Sequence, residues 1–248
     1  MRFARWIWLI SISLVMLGCV DNPLDQIKKD LASYDEYSVV LKDMQETDNF
    51  PGQFHKYSVV AIKKPPQYSE AMQDAVGQEK EPKITKYDTE WMGVPEDLYQ
   101  KHINDLGMTI LSRDANGNIR DTAQPAGYQY VGNPSYGRWV NNSSGGSFWE
   151  FYGKYRLMSD AFDLFRHRAY RNDWDHYNDS YRGRNRPYYG RQNQYGTNGS
   201  VAKKTNPTFF ERRQAKQAAR EKSFSNRFKN RVNRSRSGYR SRSSGFGK

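Results

Sequence analysis

At 248 residues the chain has room for one domain of ordinary size with an appendage. Only 36% of it is hydrophobic, which excludes one apolar core along the whole length, while 15% aromatics, including 18 Tyr, require packing somewhere. The net charge of +12 is concentrated: residues 201–248 hold 15 Lys and Arg against 2 acids, the preceding 200 hold 24 against 25, and a uniformly basic body is excluded.

The chain opens MRFARWIWLISISLVMLGCV. Arg2 and Arg5 precede an apolar stretch from Trp6 to Leu17 broken only by two serines. The 15 uncharged residues from Trp6 to Val20 are fewer than the roughly 20 a spanning helix needs and fit an export signal. Met16-Leu17-Gly18-Cys19 resembles the lipobox of bacterial lipoproteins, in which a small residue precedes a cysteine that is acylated and becomes the new N-terminus. The resemblance implies a signal peptide over 1–18, cleavage between Gly18 and Cys19, and a palmitate-type lipid on Cys19. Cys19 is the only cysteine, so no intramolecular disulfide competes for it. An uncleaved anchor or an ordinary signal remain as alternatives, and each takes the chain out of the cytoplasm. In such lipoproteins an aspartate directly after the cysteine favours the inner membrane. Val20 stands there instead, so the expectation is the outer membrane, facing the periplasm.

Residues 19–166 read as a body. Asp21 or Asn22 can cap a short helix with Pro23 in its first turn and Leu24, Ile27 and Leu31 on one face. YSVVLKDM and FHKYSVVAIKK are β-branched runs separated by Asn49, Pro51 and Gly52, which predicts a hairpin. Residues 66–82 read as a surface segment, KITKYDTEWM as a strand, and VPEDLYQKHINDLG as a helix opened by Pro95 and closed by Gly107. Asn116-Gly117 predicts a second hairpin. GYQYVGNPSYGRWV reads as strands broken at Asn133-Pro134, and NNSSGGS as a loop. Phe148, Phe151, Tyr152, Tyr155, Met158, Phe162 and Phe165 share one helical stripe, which predicts a core-facing helix. The expected class is α+β: a small, mainly antiparallel sheet with two or three helices, followed by a disordered aromatic- and Arg-rich basic tail.

Aliphatic residues then vanish, and 167–206 reads as a Tyr/Arg/Asn/Gly-rich linker, helical at most to about residue 181. Residues 207–248 form the basic tail, with helix-forming residues over 208–223. Arg212, Arg213, Lys216, Arg220, Arg227, Lys229 and Arg231 are its candidate contacts with an anionic partner. The closing NRSRSGYRSRSSGFGK is like the tails of RNA-binding proteins in composition. An exported chain meets little nucleic acid, so the expected partners are anionic lipid, lipopolysaccharide, a cell-wall polymer or an envelope protein.

Catalytic signatures such as GxSxG, HExxH and the P-loop are absent from the sequence. HRAYRNDWDHYND gathers His167, Asp173, Asp175, His176 and Asp179 but fails as a calcium loop, with no Gly at the sixth position from Asp173 and Arg184 at the twelfth. No metal or cofactor is expected, and His55 and His102 read as structural. The expected function is a lipid-anchored, non-catalytic envelope module. An envelope enzyme, metal-dependent hydrolases included, and a nucleic-acid binder are the alternatives.

Overall fold

The computed structural model describes residues 20–65, 81–142, 145–164 and 167–236. Residues 1–18, expected as a signal peptide, Cys19, most of the segment 66–82 and the end of the tail lie outside them.

The chain forms a mixed α/β structure on a mainly antiparallel sheet. Helix α1 (Pro23–Asp30) begins where Asn22 accepts the Leu24 N–H at 3.0 Å, with Pro23 at a position that needs no donor. It leads into the hairpin of β1 (Glu36–Glu46) and β2 (Gln53–Lys63), paired from Glu36↔Ile62 to Glu46↔Gln53. After β3 (Lys83–Asp88), β4 (Met92–Gly93) and α2 (Glu96–Lys101) the chain returns through β5 (Met108–Arg113), β6 (Ile119–Arg120) and β7 (Gln124–Pro125). The sheet order is β3-β2-β1-β5-β6, with β4 also on β2 and β7 also on β5.

Both faces of this sheet are covered. Tyr37, Val39 and Leu41 point to one face, against Leu24 and Ile27 of α1, Leu31 just after it, and Leu98 and Tyr99 of α2. Val40, Val60 and Ile62 point to the other, into a second core rich in tyrosine and tryptophan. A bulge at Lys42 breaks the alternation of β1, so that Met44 joins the helical face although it is even-numbered. Glu46, two residues on, shares the face of Met44.

Four expectations are corrected: the described residues hold six α-helices rather than two or three, residues 127–132 form turns rather than a strand, and two further segments differ as follows. The stripe over 148–165 is not one helix: Ser147–Phe151 is strand β9, followed by a 3-10 turn (Gly153–Tyr155) and the short α3 (Arg156–Ala161). β9 pairs with β8 (Gly137–Asn141), placing Trp139 opposite Trp149 with ring centroids 5.1 Å apart. That aromatic pair and its hairpin outweigh the helical spacing, which a short aromatic run satisfies equally well.

Residues 167–206, expected as a linker, are part of the fold. They contain α4 (Arg171–Ser180) and α5 (Ser200–Thr205), and Tyr177, Tyr188, Thr197 and Ala202 are buried. Several tyrosines of this core are accommodated because their hydroxyls find partners. The Asp173 carboxylate accepts from Tyr128 at 2.6 Å, Tyr188 at 2.8 Å and the Arg191 N–H at 3.1 Å. Tyr189 donates to Asp105 at 2.8 Å, and Thr197 accepts the Leu106 N–H at 3.1 Å, which tie the segment to the loop after α2. Gly132, at φ +78°, lies against Trp174, where a Cβ would come within 2.3 Å of the indole. The expected helix over 208–223 is observed as the longer α6 (Pro207–Arg236).

Candidate functional site

Pro207 opens α6 directly after Asn206, whose amide donates to the Lys42 carbonyl at 2.6 Å and ties the helix to the β1 bulge. Its 30 residues span about 45 Å. Phe209 is buried and packs at 5.0 Å against Phe210. Arg212 meets Asp43 at 2.6 Å, Lys216 meets Glu46 at 3.1 Å, and Arg220 lies 3.9 Å from Glu46. Successive contacts move along α6 and along β1 in the same direction. The helix therefore runs beside the strand and passes its end.

Between the end of β1, α2 and the first half of α6 is a cavity of about 470 Å³. Met44, Tyr99, Ile103 and Phe209 make its apolar floor, and Arg212, Arg213, Lys216 and Arg220 stand around it. Burial, with Glu46 adding to it, pushes the Tyr99 phenol up to about 12, so it stays protonated. Behind Tyr99 lies His55, fully buried, stacked on that ring at 5.3 Å and bonded through Nδ1 to the Tyr57 hydroxyl at 3.0 Å. Burial, with a smaller contribution from His102, holds His55 down to about 3. The cavity floor is uncharged; its charge is on the rim.

The second half of α6 continues the same faces with none of the described residues of the body packed beneath them. Arg213, Arg220 and Arg227 are seven residues apart and fall on one line of the helix. Every described side chain from Glu221 to Val232 is exposed, including Phe224 at 72% and Phe228 at 62%. At 100° per residue, Phe224, Phe228 and Val232 form a line with Arg220, Arg227 and Arg231 on one flank and Lys222 and Lys229 on the other.

Four of the seven cations expected to contact an anionic partner, Arg212, Arg213, Lys216 and Arg220, thus gather at the cavity. Arg212 and Lys216 are committed to Asp43 and Glu46, a partnership that sequence spacing across some 170 residues does not announce. Arg227, Lys229 and Arg231 project beyond the body, exposed.

The remaining polar clusters are bonded internally or dispersed, although the buried Nε2 of His102 has no partner among the described residues. Asp173 points into the tyrosine core, Asp175 lies 3.7 Å from Arg171, and His176 faces the Tyr188 hydroxyl at 3.3 Å. Among the described residues no group of three or more His, Cys, Asp or Glu can hold a metal ion. His102, also buried, bonds Asp105 at 2.8 Å, whose second oxygen accepts from Tyr189. Among the described residues no helix is long and apolar enough to cross a membrane. No family model, curated protein or solved structure matches the chain.

Proposed function

We propose that the protein is a cell-envelope lipoprotein, acylated at Cys19 after cleavage from Gly18, whose non-catalytic body lays the second half of α6 on an anionic lipid or lipopolysaccharide surface. The outer membrane, on its periplasmic side, is the proposed location. One observation carries the reading: the cationic face of α6 that meets Asp43 and Glu46 within the body continues past it with no carboxylate of the described residues paired to it, beside an exposed Phe224–Phe228 line. An apolar line between two rows of cations is the arrangement of a helix lying in a membrane interface, rings towards the acyl chains and cations among the headgroups.

The position of the N-terminus supports the same reading. The Val20 side chain lies 3.7 Å from where a Gly93 Cβ would stand, and Gly93 pairs with Phe54 at the start of β2. That is the end of the sheet where α6 leaves β1, so an anchor on Cys19 and the free half of α6 reach one surface together. The anchor would supply residence and the helix orientation. Each Lys or Arg near an anionic surface contributes about 1 kcal/mol, so Arg227→Gln with Arg231→Gln should weaken binding roughly 30-fold.

The test is co-sedimentation of the chain from Val20 onward with vesicles. Binding to anionic vesicles should fall steeply with salt, neutral vesicles should bind little, and the double variant should lose the expected factor without a change in melting temperature. Equal binding to both vesicles would remove the surface reading. In cells, Cys19→Ala should accumulate a larger precursor and lose fatty-acid labelling; retained labelling would remove the anchor.

A further inference from the structure

We infer that the cavity beneath the first half of α6 is a binding site for a single-chain anionic amphiphile, a long-chain fatty acid with its carboxylate at Arg213 and Arg220. The inference is independent of the anchor at Cys19. It rests on the way the cavity divides. Met44, Tyr99, Ile103 and Phe209, from β1, α2, the loop behind it and α6, offer an apolar surface closed from below by the stacked, neutral His55. A volume of about 470 Å³ lies within the range of small-ligand sites.

The rim holds more positive charge than the chain neutralises. Arg212 is engaged with Asp43 at 2.6 Å and Lys216 with Glu46 at 3.1 Å. Arg220 shares Glu46 only at 3.9 Å, and Arg213 makes no ion pair among the described residues. Two guanidinium groups, two turns apart on one line of the helix, therefore stand at the mouth with surplus charge, and guanidinium is the group that grips a carboxylate through paired hydrogen bonds. An apolar chain on the floor with its anion at this mouth matches the cavity in both respects. The acyl chain on the protein's own Cys19 would fill the floor but bring no anion, so the rim favours a free ligand.

The experiment uses the chain from Val20 onward, which contains every element of the fold, and a fluorescent polyene fatty acid as probe. Palmitate should displace the probe, whereas methyl palmitate, with the same chain and no charge, should do so at least ~10-fold less well. Arg213→Gln with Arg220→Gln should remove that preference while leaving methyl palmitate unchanged. Ile103→Trp, which fills the floor, should abolish probe binding. Gln217→Trp at the exposed mouth should weaken it without entering the core, so a folding defect in the first variant does not blunt the test. Equal displacement by acid and ester, or unchanged binding in both tryptophan variants, would overturn the assignment. So would a lipidated full-length protein on neutral vesicles that binds no probe while its Cys19→Ala counterpart does, because the occupant would then be the protein's own acyl chain.

Discussion

His55 gives the most quantitative consequence of this packing. Its ring is fully buried between Tyr57 and Tyr99, and burial lowers its pKa from 6.5 to about 3. The unfolded chain takes up a proton near pH 6.5, and the folded one only near 3. The neutral ring therefore contributes stability above pH 6.5 that is lost as pH falls through the window down to 3. One proton across 1.5 units at about 1.4 kcal/mol per unit amounts to a loss of about 2 kcal/mol between pH 7 and 5. His55→Phe keeps a ring against Tyr99 and cannot titrate. At pH 7 it should cost about 1–3 kcal/mol, because the buried Tyr57 hydroxyl loses its 3.0 Å partner. The stability gap between the two proteins should then close by about 2 kcal/mol at pH 5. Urea denaturation followed by tryptophan fluorescence at pH 7, 6 and 5 measures this. Parallel pH profiles would refute the claim that His55 is held neutral by burial.

Two further predictions concern the tyrosine core. Tyr188→Phe removes one of the hydrogen bonds to the buried Asp173 carboxylate and should cost about 1.5–3 kcal/mol in chemical denaturation; a change within error would mean that Asp173 is satisfied without it. A chain ending at residue 183 loses Tyr188, Ala202 and Phe209 from the two cores, and the buried Thr197, so it should show no cooperative thermal transition. A full-strength transition in that chain would mean that 184–236 is an appendage.

The first half of the fold was legible because its signals are local. The β1–β2 hairpin follows from two β-branched runs around a turn, and α1 from Asn22, Pro23 and the Leu24/Ile27/Leu31 stripe. Asn116-Gly117 makes its expected turn, with Gly117 at φ +82° and Asp114 accepting the Asn116 and Asn118 N–H groups at 3.0 Å. The expected helix 94–107 shrinks to Glu96–Lys101, because His102 and Asp105 bond each other in the turn that follows. What was not legible depends on distant partners. Phe148–Phe151 has a helix-like spacing until Gly137–Asn141 offers it a strand. Tyr188, Tyr189 and Tyr195 read as polar linker until Asp173, Asp105 and Tyr128 receive their hydroxyls. Composition found the cations of α6. It did not reveal that Asp43 and Glu46 would anchor its first half and leave the second exposed.

The claim that the free half of α6 lies in an anionic interface can be read residue by residue. The chain from Val20 onward contains no cysteine, so one can be introduced at each position and labelled with an environment-sensitive fluorophore. Labels at Phe224→Cys and Phe228→Cys should shift to the blue and brighten on mixing with anionic vesicles. Labels at Asn226→Cys and Asn230→Cys, on the opposite side of the helix, should stay in water. All four positions responding alike, or none responding, would contradict a helix that meets the membrane along its phenylalanine line.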